Sequence, residues 1–113
     1  MNRPAKVGLP WPSLLAFVRL ASNPAIVRTP VTPGAAWLRV TEWLGREQVW
    51  VPQPGASHAD LLGGLLADQR TTSRMVPDAH LAALAIEHGL TLCSTDGDFA
   101  RFPGLRLENP LAA

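Results

Sequence analysis

A chain of 113 residues, 47% of them hydrophobic and with a formal net charge of +1, is expected to form one compact domain around one core. That hydrophobic fraction excludes disorder, and no run approaches the roughly 18 consecutive apolar residues of a spanning helix, so a soluble chain with no membrane partner is the expectation. A single cysteine, Cys93, excludes an internal disulfide and points to a reducing cytoplasm.

The opening MNRPAKVGLPW is positively charged but has no apolar region of the kind a secretory signal needs. Residues 13–21, SLLAFVRLA, carry apolar side chains on almost every side and predict a helix buried nearly all round. Three prolines in SNPAIVRTPVTPG break it. Thr32 followed by Pro33 then reads as a cap and first turn, and Ala36, Trp37, Val40, Trp43 and Leu44 form the apolar stripe of a second helix ending at Gly45. On its wet face Glu42 is a solvated partner for Arg39 and Arg46. QVWVP alternates like a short strand. Ser57 is placed to cap a third helix bearing Leu61, Leu62, Leu65 and Leu66, weakened by Gly63 and Gly64. DQRTTSRM reads as a polar loop.

VPDAHLAALAIEHG is the plainest helix, with Pro77 in its first turn, Leu81, Leu84 and Ala85 facing inward and Gly89 as its stop. LTLCS follows as a strand in which Cys93 is a small buried hydrophobe, TDGD is its tip, and GLRLENP is a last edge strand closed by Pro110. Helices alternating with short strands mean an α/β fold with a mainly parallel sheet.

In such sheets, sites form at the carboxyl ends of strands. Asp96 and Asp98 lie just beyond strand 90–94, and Asp78 stands in the first turn of the preceding helix, where a crossover can return it to the same edge. Three close carboxylates repel one another, and a hard divalent ion such as Mg²⁺ is their natural neutraliser. The same residues also fit a plainer use, Asp78 as a helix-start acid and Asp-Gly-Asp as a turn. His58 and His88 sit near helix ends, where exposure or a dipole contact explains them. His80 lies about 200° round the helix from Asp78 and does not share ligation with it. No spacing for zinc, a serine triad or a phosphate loop occurs. Arginine far outnumbers lysine, which suits phosphate binding and is equally the product of a GC-rich genome.

VPDAHLAALAIEHGLTLCSTDGDFARFPGLRLENPL resembles the C-terminal half of a PIN-domain ribonuclease of the VapC toxin type, and VGLPWPSLLAFVRLASNP resembles the middle of that family. The resemblance implies a single PIN-like domain over 1–113, a three-layer α/β/α fold of which this is the C-terminal two-thirds to three-quarters. It also implies an endoribonuclease using Mg²⁺ or Mn²⁺, an RNA substrate, a VapB-like antitoxin and a homodimer. Carried over by position, Asp78, Asp96 and Asp98 are similar to the family's catalytic metal-binding acids, Ser94 to the small hydroxyl residue at the same tip, and Phe99 and Phe102 to packing residues.

Two departures accompany the resemblance. The family's first strand, with its Asp-x-Asn motif, precedes the equivalent of VGLPW and is expected to be absent, together with the first metal acid. A further acid, often Glu, is here Ala16. Asp78, Asp96 and Asp98 then form a partial site, and a non-catalytic remnant that binds an antitoxin or dimerises stands as the alternative.

Overall fold

The computed structural model describes residues 6–94 and 96–109. It is an α/β chain whose strands pair in parallel, in two compact units divided after Pro52.

In the first unit, β1 (Val7–Gly8) pairs in parallel with β2 (Val49–Trp50), Val7 opposite Val49. The sequence did not signal β1, because two paired residues are too short to show an alternating pattern. Between the strands lie α1 (Trp11–Ala21) and α2 (Pro33–Leu44). Thr32 caps α2 as expected, its hydroxyl oxygen accepting the Ala35 N–H at 3.1 Å, which satisfies one of the donors left open at a helix start. The two helices join through aromatic pairs: Phe17 meets Trp43 with centroids 4.7 Å apart, and Trp11 stacks on Trp37 at 6.1 Å. Leu14, Ala36 and Val40 are buried. The all-round burial expected of α1 is not observed, since Leu15 is 57% exposed and Leu20 is exposed as well. A cylinder packed along one stripe buries only that stripe, whatever its composition.

In the second unit, α3 (His58–Ala67) packs against α4 (Val76–Glu87), which runs into the parallel pair β3 (Thr91–Cys93) and β4 (Arg106–Glu108). The register sets Leu92 beside Leu107. Ala79, Ala82 and Ala83 are wholly enclosed on α4 and let its backbone approach Leu65, Met75, Phe99 and Phe102, with Leu61, Leu81 and Leu105 completing the core. Gly89 takes φ +66° just past α4, a conformation that costs a side-chain-bearing residue strain, and so ends the helix where the sequence indicated.

Three local expectations are corrected here. Ser57 does not cap α3 through its side chain. The carboxylate of Glu87, thirty residues away, accepts the Gly55 N–H at 2.9 Å and the Ser57 N–H at 3.0 Å instead. Cys93 is exposed rather than buried, because β3 turns only Leu92 inward. DQRTTSRM is not all loop, as Ser73–Met75 forms a 3₁₀ turn feeding α4 and Met75 enters the core. Pro110 lies outside the described residues.

Candidate active site

The acidic tip is built by its own side chains. After β3, the Ser94 hydroxyl oxygen accepts the Asp96 N–H at 3.0 Å, and Asp96 Oδ1 accepts the Asp98 N–H at 2.9 Å. Asp96 thereby caps a 3₁₀ turn, Gly97–Arg101. This turn drops Phe99 and Phe102 into the core, where their rings meet at 6.2 Å. Because both rings are anchored, the turn holds Asp98 outward as an extension of packed structure. The turn reading and the ligand reading of Asp-Gly-Asp are therefore compatible: one oxygen of Asp96 shapes the backbone.

Asp78 occupies the first turn of α4, behind Pro77. Partial burial, and then the charges of Asp96 and Asp98, raise its pKa above the ordinary carboxylate value, with Arg74 acting in the opposite sense. The structure thus brings the three sequence-predicted acids into electrostatic reach of one another. Among the described residues, however, no group of three or more acidic, histidine or cysteine side chains stands close enough to hold a metal ion. The donors are all carboxylate oxygens, the type a hard cation takes, and their mutual repulsion is what such a cation relieves.

Two arginines flank the acids. Arg74 stands 3.8 Å from Asp98 Oδ2 and Arg101 stands 4.0 Å from Asp98 Oδ1. Arg74 was hidden in a stretch read as loop, although its position one helical turn before Asp78 was a usable signal.

α3 and α4 also carry a second polar group. His58 is only 8% exposed, so exposure, one of the two explanations offered for a histidine near a helix end, does not apply to it. Its Nε2 lies 3.1 Å from His80 Nδ1, while its Nδ1 is enclosed without a hydrogen bond, 3.8 Å from Glu87 Oε1. The favourable tautomer has His80 Nδ1–H donating to His58 Nε2, so that the Nδ1–H of His58 faces the carboxylate. Burial, then the neighbouring His58, lowers the His80 pKa. The Gly55 N–H is the main cause holding Glu87 below its usual range. His80 is thus turned to His58 and not to Asp78, as the helical period indicated.

No family model matches the chain. It is 42% identical over 107 residues to Ribonuclease VapC37 of Mycobacterium tuberculosis, covering 95% of this chain and 74% of that protein. Ribonuclease VapC33 of the same species is 35% identical over 111 residues, covering 98% of this chain and 78% of that protein. VapC ribonuclease Mb2897 of Mycobacterium bovis is 34% identical over 110 residues, covering 97% and 75%.

Proposed function

The chain belongs to the VapC family of ribonucleases, and we propose that it is an endoribonuclease toxin that hydrolyses RNA phosphodiesters with Mg²⁺ or Mn²⁺. Its relatives carry the name ribonuclease, and the α/β elements with parallel strands agree with a PIN-like fold. In this reading residues 1–113 form a single PIN-like domain in the cytoplasm, silenced by a VapB-like antitoxin and assembled as a homodimer. No helix among the described residues is long and apolar enough to cross a membrane.

The observation that carries the proposal is the 42% identity to Ribonuclease VapC37 over 95% of this chain, and the electrostatic reach of Asp96 and Asp98 to Asp78 supports it. Burial, and then the charges of Asp96 and Asp98, raise the Asp78 pKa, a combination of causes that recurs at catalytic sites. Asp78, Asp96 and Asp98 would hold the cation, which supplies neutralisation of the phosphate and activation of water. The chain's own contribution is position. Asp96 orders the tip through the Asp98 N–H, Ser94 orders Asp96, and the Phe99–Phe102 pair fixes the turn to the core.

A second reading, a non-catalytic relative that binds an antitoxin or dimerises, is favoured by one observation: Asp98 already has two arginines as counter-ions. Titrating Mg²⁺ into the purified chain separates the two, with thermal unfolding and RNA cleavage followed on the same sample. The enzyme reading requires a saturable rise in melting temperature and cleavage that Asp96→Asn abolishes. The amide keeps an oxygen for the Asp98 N–H, so this variant keeps its fold. Antitoxin binding with neither effect of Mg²⁺ leaves the second reading standing.

A further inference from the structure

We propose that Arg74 and Arg101 form a two-pronged clamp for an RNA phosphate at the rim of the acidic tip, a reading that rests on the ribonuclease activity proposed above. The two side chains come from different 3₁₀ turns, Ser73–Met75 and Gly97–Arg101, and approach different oxygens of the same carboxylate, at 3.8 and 4.0 Å. The Asp98 carboxylate thus faces one guanidinium group from each of the two turns.

These contacts differ in kind from the committed pair nearby. Arg70 grips Asp68 through two short bonds, 3.1 Å from Nε and 2.8 Å from the terminal nitrogen. That fork geometry uses the guanidinium edge that would otherwise meet a phosphate. Arg106, the remaining arginine of residues 53–113, donates to the Gly89 carbonyl oxygen. Arg74 and Arg101 make no such bond to Asp98, and their side chains are 87% and 59% exposed. Long contacts between exposed charges are weak and screened, so little is lost when the guanidinium groups turn to another anion.

The chemistry of the substrate calls for such a pair. A phosphodiester approaching Asp78, Asp96 and Asp98 meets like charge, and an unguided anion would be turned away. Two guanidinium groups beside Asp98 offset that repulsion at the point of entry, and their planar donors fix the orientation of the phosphate. Each contact to a single-stranded phosphate also releases counterions, which gives the clamp a signature independent of cleavage.

The test is binding of a fluorescein-labelled single-stranded RNA to the full chain, measured by anisotropy in EDTA across a salt series, so that no cleavage occurs. Losing one phosphate contact lowers the slope of log affinity against log salt by about 0.7. If the lines meet at about 1 M salt, Arg74→Ala and Arg101→Ala each weaken binding about fivefold at 0.1 M, and the double variant about 25-fold with a slope lower by about 1.4. Arg101→Lys should recover the slope, and Arg70→Ala should leave it unchanged. Unaltered affinity and slope in the double variant overturn the clamp, as does an equal loss in Arg70→Ala, which would mean a general effect of positive charge. In either case, cleavage by the unaltered chain that Asp96→Asn abolishes would leave the ribonuclease reading intact. An unaltered chain that neither binds nor cleaves RNA removes both.

Discussion

Replacing Phe102 by alanine tests whether the acidic tip is fastened to the core. Phe102 is 4% exposed, lies within the cluster of Leu65, Met75, Ala79, Ala82, Ala83 and Phe99, and meets the Phe99 ring at a 57° tilt. Truncating such a ring costs about 3–5 kcal/mol, through lost transfer energy and the cavity left behind. Against the roughly 5–15 kcal/mol that stabilises a whole domain, that is a large fraction. At about 4–8 °C per kcal/mol for a small domain, the melting temperature should fall by roughly 12–40 °C.

Urea titration followed by far-UV circular dichroism measures the loss, and tryptophan fluorescence adds a second report. All four tryptophans, Trp11, Trp37, Trp43 and Trp50, lie before Pro52, whereas Phe102 lies after it. If residues 1–113 unfold as one domain, both signals shift together in Phe102→Ala. Fluorescence that keeps its original midpoint while the helical signal moves would refute the single-domain proposal. The neighbouring Arg101→Ala serves as the control: its exposed side chain should change stability by no more than about 0.5 kcal/mol. A loss under about 1 kcal/mol in Phe102→Ala would refute the argument that this ring anchors the turn carrying Asp98.

Three further outcomes are expected. Asp78→Asn should stabilise the metal-free chain at neutral pH and remove its response to Mg²⁺ in thermal unfolding. Its carboxyl pKa is raised in the folded state, so the folded chain holds that proton more tightly and its stability declines as pH rises past the unfolded value. A variant less stable than the parent in EDTA would contradict this. The pH dependence of the urea midpoint should carry two acid-side losses in unit 2. His80, lowered by burial and then by His58, loses stability as pH falls below about 6.5, while Glu87, lowered chiefly by the Gly55 N–H, loses its contribution below about 4.5. His80→Gln should flatten the first and Glu87→Gln the second. The imidazoles of His58 and His88 face these two groups, so each variant is compared with its parent across the whole pH range. Thr32→Ala should cost about 1 kcal/mol through loss of the α2 cap, and Thr32→Ser should retain it, as read by denaturant unfolding.

Much of this protein is local and therefore written in the chain itself. Thr32-Pro33 starts α2 and Gly45 ends it, Pro77 and Gly89 bracket α4, and Phe99 and Phe102, three apart, return the chain to the core. Caps, positive φ and helical spacing act within a few residues, so residue order alone determines them. Asp78, Asp96 and Asp98 were legible as candidates for the same reason: each stands at a recognisable helix start or strand end.

What depended on tertiary structure were the relations between segments far apart in sequence. Ser57 looked like the cap of α3, but its side chain makes no cap bond, and the segment leading into the helix is held by the Glu87 carboxylate, a partner distant in sequence that no local pattern encodes. His58 read as exposed or in a dipole contact until α3 met α4 and set it against His80. Leucines all round α1 read as all-round burial, yet packing covered one face. Arg74 lay in an apparent loop until Ser73–Met75 coiled and placed it beside Asp98. Composition and spacing determine which side chains can bury or carry charge, and only the folded chain decides which of them meet, because Coulomb forces and packing depend on distance in space.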